Sequence, residues 1–280
     1  MNYTMLKKSL TEKSYHENFP VATLFLRKKE RNDILVLYQF ARECDDIADN
    51  ENFKVDQRKK ILNEYQKNIK QLFSKNDKPK LFINLQQVSI KYNLNINLFK
   101  NFMRGFYQDL SKTRYKSFDE IVQYCNLLAC PAGEMVLTIF NKNTKKNISL
   151  SNNICIALAM IGMVQDIEKD YKKGRVYIPL SYFEKFNLKE EDIQHHNFNN
   201  HWELFKIEWL GLIKNYLNKG KPLIKNLDGR LKFQIKLLFL ACDLLIKKLS
   251  YRQNLFINAP RLSKLDWSLL GIRALLSYEL

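Results

Sequence analysis

Residues 41–50 read ARECDDIADN and place three aspartates, Asp45, Asp46 and Asp49, within five positions of an apolar helical pattern. Tyr38, Arg42, Asp45 and Asp49 follow one another at steps of four, three and four, so on a helix they share the face that the apolar residues would bury. Carboxylates on one face repel each other, by about a few tenths of a kcal/mol per exposed pair and by more once desolvated. Such crowding calls for a cation between them. A second set stands about 120 residues further on, in AMIGMVQDIEKDYKKGRVYIP, where Asp166 and Asp170 are one helical turn apart beneath Ala159 and Gly162. A single DxxxD is most simply a solvated end turn, but two such sets, each on the inner face of an apolar helix, are poorly explained as surface decoration. Facing each other across a helical interior, they would hold hard cations. Mg²⁺ prefers a few carboxylates, retained waters and substrate phosphate oxygens to an all-protein cage. The chemistry this pattern points to is metal-assisted work on a diphosphate.

The elements that must carry these residues read as helices. Only 8 Gly and 6 Pro punctuate 280 residues, and runs of alternating β-branched residues are absent. Periodicity predicts helices over 30–49 and 55–74, one around Phe99–Phe106 that carries Asp109, one over 124–140, an apolar and central one over 152–171, and others at about 202–218, 221–227 and 229–250. Neither a linker of domain-boundary quality nor an internal repeat interrupts them. The expectation is a single all-α domain over residues 1–280, built from eight to ten helices.

Composition bounds the partners. The hydrophobic content of 46% suits a folded core, and 46 basic against 29 acidic residues give a net charge of +17. The charge is spread along the chain without a basic arm or an RNA-binding motif, so nucleic acid is not the expected partner, whereas a diphosphate or an anionic membrane surface is. The five cysteines, with no CxxC, read as reduced, buried small hydrophobes. MNYTMLKKSLTEK lacks a signal-peptide core, and the apolar runs ICIALAMIGMV and IKLLFLACDLLI look too short to span a bilayer. The expected setting is the cytoplasm, with the membrane's inner face as a place of peripheral contact. His195, His196 and His201 lie in a polar stretch and read as surface residues. Asp109 is expected either to pair with Arg114 or to sit at the rim of the site.

The quoted segments also resemble a family. DDIAD together with DIEKDYKKGRVYIP is similar to the squalene and phytoene synthases, head-to-head prenyl synthases of the isoprenoid-synthase fold. The likeness runs through ENFPVATLFLRKKERNDILVLYQFARECDDIAD, GFYQDLSKTRYKSFDEIVQYC and APRLSKLDW, and HENFPVA and PRLSKLDW look most like the bacterial hopanoid-pathway branch that turns presqualene diphosphate into hydroxysqualene. The resemblance implies a helical bundle around a central apolar cavity, with two or three Mg²⁺ ions bound alongside the substrate diphosphate. Asp45, Asp46 and Asp49 would be metal ligands of the first motif, and Asp166 and Asp170 of the second. His16, Asn18, Arg42, Arg175 and Tyr177 would meet the diphosphate, and Phe19 and Gly162 would line the cavity. Tyr38 would line it and act in catalysis beside Asp45, Asp49, Asp166 and Asp170. The hydroxysqualene branch admits water and needs no NADPH, and no obligate protein partner is implied. The alternatives are a synthase condensing two farnesyl diphosphates to squalene, presqualene diphosphate or dehydrosqualene, and a non-catalytic relative of the assembly-factor kind. The chain departs from the family pattern at Gly162, where an asparagine metal ligand is common, at Glu134, where the branch usually has Arg, and at Gln253, in place of a usual tyrosine.

Overall fold

The computed structural model describes residues 26–75 and 77–276, among which every regular element is a helix. The helices are α1 (Lys28–Ala48), α2 (Val55–Lys70), α3 (Lys80–Tyr92), α4 (Ile96–Asp109), α5 (Phe118–Leu128), α6 (Cys130–Ile139), α7 (Lys145–Gln165), α8 (Ile167–Lys172), α9 (Leu180–Phe186), α10 (Glu190–Gln194), α11 (Asn200–Gly220), α12 (Leu223–Asn226), α13 (Gly229–Tyr251) and α14 (Lys264–Leu276). The all-α expectation holds, but the described helices number fourteen, against the eight to ten read from periodicity. They form two compact units, one ending at Ser111 and one beginning at Lys112.

In the first unit α1 buries Ile34, Leu37, Phe40, Cys44 and Ile47, spaced three and four apart as one helical stripe requires. Phe40 is the hub, meeting Phe82 of α3 and Phe99 and Phe102 of α4 edge-on at centroid distances of 6.3, 5.7 and 6.4 Å. These T-shaped contacts fix the roll of α1 and hence the direction of its other side, which carries Tyr38, Arg42, Asp45 and Asp49. These four share a face as expected, but it lies away from the stripe that α1 buries and not on it, because Leu37, Phe40 and Cys44 supply the core contacts. Arg58 of α2 donates to the Ala48 carbonyl at 2.6 Å, satisfying an acceptor that the end of α1 leaves open. Helix α4 starts at Asn95, whose side chain accepts from Asn97 N, and buries Phe99, Phe102, Met103, Phe106 and Asp109.

In the second unit α7 is the core helix, packed against α11 and α6. Gly220 lets α11 approach α7, since a Cβ there would lie 2.9 Å from the Leu150 carbonyl oxygen. The run expected to be too short for a bilayer belongs to this 21-residue helix, which by length and composition alone is apolar enough to cross one, although half of its apolar window is buried inside the protein. The helix expected over 124–140 divides at Ala129 because Pro131, at the start of α6, has no N–H to continue the ladder. The helix expected over 152–171 begins earlier, at a Thr144 cap accepting from Asn147 N. It ends at Gln165, where Asp166 leaves helical geometry (φ −110°, ψ 15°) before α8 starts. Cys44, Cys125, Cys130 and Cys242 are buried free thiols, as expected, and Cys155 is half-buried.

Candidate active site

The first carboxylate cluster closes the C-terminal end of α1. Arg42 supplies the cation its crowding calls for: Nη1 lies 3.2 Å from Asp45 Oδ2 and Nη2 lies 3.1 Å from Asp46 Oδ1. Asp46 is 9% exposed, and its Oδ2 is buried without a hydrogen-bond partner. Asp49 caps the helix through its own N–H, which donates to the Asp45 carbonyl at 2.9 Å. Burial is the largest influence on Asp45, followed by the Asp49 carboxylate, and together they push its pKa from an ordinary 3.8 to about 7. Arg42 opposes the rise, while Asp109 and Asp46 add to it. The Asp45 side chain nonetheless remains 44% exposed, so solvent reaches this carboxylate. Asp109 therefore belongs to the surroundings of the first cluster, and the ion pair of Arg114 is instead with Glu190, gripped through Nε and Nη2 at 2.6 Å each.

The second cluster sits at the break between α7 and α8. The break keeps one helical turn, because Asp170 N donates to the Asp166 carbonyl at 2.8 Å. Its carboxylates already have cations: Asp166 Oδ1 accepts from Lys169 Nζ at 3.0 Å and from Arg261 Nη2 at 2.7 Å, and Asp170 faces Arg175 Nη2 at 3.8 Å. Gly174, at φ +78°, makes the left-handed turn that brings Arg175 back over Asp170. After it the chain runs extended beside residues 113–116, with Val176 N donating to Thr113 O at 3.0 Å and Arg114 Nη1 to Gly174 O at 2.7 Å. Tyr177 is held there by Tyr115, stacked at 5.6 Å, and by Tyr124, whose hydroxyl is 3.2 Å from its own.

At Gly162 a Cβ would meet nothing within 4 Å among the described residues. Gln165, three residues further along α7, donates its amide to the Pro260 carbonyl. Among the histidines read as surface residues, His196 Nε2 reaches Glu168 Oε1 at 3.0 Å. Tyr38 lies half-buried on α1, whereas His16, Asn18 and Phe19 lie outside the described residues. Sequence reasoning missed Arg261: it sits in a loop 95 residues from Asp166, and no helical spacing links the two. A surface groove of the first unit, lined by Lys60, Asn63, Glu64, Tyr65 and Pro79 among others, holds none of the expected site residues.

The described residues form only helices, and solved structures put the fold in the isoprenoid-synthase class of helical folds. The squalene synthase HpnC from Alicyclobacillus acidocaldarius matches with a TM-score of 0.79 at 26% identity, covering 89% of this chain and 93% of that one. A dehydrosqualene synthase shares the fold with a TM-score of 0.80 at 14% identity, covering 97% of each chain. The squalene/phytoene synthase family profile matches residues 13–269, and the chain belongs to that family of enzymes. The hydroxysqualene synthase of Rhodopseudomonas palustris is 27% identical over 243 residues, covering 85% of this chain and 81% of that protein. That of Zymomonas mobilis is 31% identical over 180 residues, covering 63% of this chain and 59% of that protein, so the match spans under two thirds of the Zymomonas chain.

Proposed function

We propose that the protein is a Mg²⁺-dependent head-to-head prenyl synthase that converts presqualene diphosphate to hydroxysqualene with loss of diphosphate. The observation that carries this reading is the alignment of a relative named hydroxysqualene synthase along 85% of the chain, in a protein that keeps carboxylates at both acidic motifs. On this reading residues 1–280 act as one functional domain.

The donor chemistry fits Mg²⁺. Among the described residues no three His, Cys, Asp or Glu side chains already converge as a metal cage, so water and diphosphate oxygens would complete the shell, as Mg²⁺ prefers. Asp46 Oδ2, buried and without a partner, is an oxygen that a hard cation would satisfy. Asp45, Asp46 and Asp49 would hold metal from the first motif, and Asp166 and Asp170 from the second. When bound, two or three Mg²⁺ ions supply Lewis-acid stabilisation of the departing diphosphate.

The residues of the chain do the rest. Arg42 and Arg175, with His16, Asn18 and Tyr177, bind diphosphate oxygens and orient the scissile C–O bond. That bond breaks with its electron pair leaving on the diphosphate, and fixed positive charge at the leaving group lowers the barrier without reorganisation. Apolar side chains such as Tyr38, Phe19 and the face around Gly162 keep bulk water from the carbocation. The cyclopropylcarbinyl cation rearranges with cleavage of a ring C–C bond. One admitted water then adds to the resulting cation and gives up its proton to the expelled diphosphate, yielding the alcohol without NADPH. A lipid substrate and the net charge of +17 support a cytoplasmic setting with peripheral contact at the membrane surface.

The test is presqualene diphosphate with Mg²⁺ in oxygen-18 water, with and without NADPH, followed by product mass spectrometry. Labelled hydroxysqualene formed without NADPH is expected. A hydrocarbon formed only with NADPH would make the protein a squalene synthase. Consumption of farnesyl diphosphate alone would assign the first condensation, and turnover of neither substrate would mark a non-catalytic member.

A further inference from the structure

Helix α14 is apolar on two sides. Leu270 and Ala274 are buried, and Lys248 of α13 grips Asp266 at 2.6 Å, fastening the start of α14. Ser263 completes that start by donating its N–H and hydroxyl to the same carboxylate, each at 2.7 Å. On the other side Leu265, Leu269, Ile272 and Leu276 are 69%, 57%, 54% and 76% exposed. Their steps of four, three and four form one continuous stripe. Scattered exposed leucines are ordinary on a soluble surface, but four in register on one helix are not. At 100° per residue, Lys264 and Arg273, both exposed, stand on opposite flanks of the stripe.

We propose that this outward face of α14 docks on an anionic lipid bilayer, the stripe entering the headgroup–acyl boundary while Lys264 and Arg273 meet lipid phosphates. An apolar stripe bordered by basic side chains is the pattern of an interfacial helix, whose binding combines apolar burial with attraction to anionic lipid. The net charge of +17 adds to that attraction over longer range. Charge complementarity also selects the occupant. A second copy seated on the same face would bring like charges together at both flanks, whereas a bilayer supplies the opposite sign. Why a lipid surface should matter rests on the prenyl-substrate reading above, but docking itself is measured without substrate, so the two can fail separately.

The experiment uses the full chain with phosphatidylcholine vesicles, with and without phosphatidylglycerol, in a sedimentation assay across a salt series. Wild type should bind the phosphatidylglycerol vesicles at low salt and leave them as salt rises. Leu269→Gln/Ile272→Gln should weaken binding about tenfold or more, with helical content, thermal midpoint and turnover of detergent-dispersed substrate unchanged, because both side chains point away from the protein. Arg273→Gln should bind more weakly and with a shallower salt dependence. Wild-type vesicle binding by the double variant overturns the proposal, as does equal binding to vesicles lacking phosphatidylglycerol. A wild-type dimer that the double variant converts to monomer also overturns it and assigns the stripe to self-association.

Discussion

Arg42 and Asp46, one helical turn apart on α1, meet at 3.1 Å, and the same guanidinium reaches Asp45 at 3.2 Å. One cation thus braces two adjacent carboxylates, while the second oxygen of Asp46 stays buried without a hydrogen bond. Arg42→Gln should lower thermal stability near neutral pH by about 1 kcal/mol, since two crowded carboxylates lose their counter-charge in a partly open site. Adding Asp46→Asn should restore most of that loss in a double-mutant cycle. Turnover by Arg42→Gln should fall about a hundredfold, as for loss of one preorganised donor to a leaving anion. Equal melting of wild type and Arg42→Gln would show that the brace carries no energy.

The raised pKa of Asp45, caused first by burial and then by Asp49, makes a pH prediction whose sign follows from proton counting. Between the ordinary 3.8 and about 7 the folded protein binds more proton than the unfolded chain, so stability is greatest at the acid end of that window and falls as pH rises through it. The metal-free melting temperature should drop across this range, and Asp45→Asn should flatten the drop. Mg²⁺ with inorganic pyrophosphate should restore the loss at the alkaline end, since ligands that bind only the folded state stabilise it. A metal-free profile that instead rises with pH would remove Asp45 as its source.

Much of this was legible in the residue order. The DDIAD helix, the face shared by Arg42, Asp45 and Asp49 and the need for a cation followed from spacing and charge, because interactions three and four residues apart are local. Which face α1 buries did not, since Leu37, Phe40 and Cys44 on the other side make its core contacts. The interruption at Asp166 was not legible, since no proline stands there and the flanking residues are good helix formers. Pro131 was a readable break that the strong apolar periodicity of 124–140 masked. Helix α3 carries Leu81, Leu85 and Val88 at helical spacing, yet short runs of this kind are ambiguous. Arg261 and α14 escaped because an ion pair spanning 95 residues and an outward apolar stripe are products of tertiary placement, which periodicity does not encode.

At the second motif Asp166 is held by Lys169 at 3.0 Å and Arg261 at 2.7 Å. Asp166→Asn should cost about a hundredfold or more in turnover with the helical spectrum intact, since it removes charge and little volume. Arg261→Gln should leave stability within about 1 kcal/mol, because its ion pair is partly exposed. Its turnover should nonetheless drop about tenfold, the loss falling on kcat, if Arg261 orients Asp166 in the reacting complex. An unchanged kcat with normal melting would reduce Arg261 to a surface contact.

Gly174 and Gly229 both adopt positive φ, +78° and +52°, and a Cβ on either would meet nothing within 4 Å among the described residues. Alanine at either position therefore costs backbone conformation without a clash, about 1–2 kcal/mol in each case. Their functional consequences should differ. Gly174 directs Arg175 towards Asp170, and its carbonyl is held by Arg114 at 2.7 Å, so any relaxation of that turn displaces a candidate diphosphate ligand. Gly229 opens α13 and carries no candidate site residue beside it. Gly174→Ala and Gly229→Ala should melt at similar temperatures, with turnover falling about tenfold or more only in the former, because small displacements of a positioning group cost catalysis steeply. Equal activity in the two variants would mean that the turn at Gly174 matters to folding and not to the placement of Arg175.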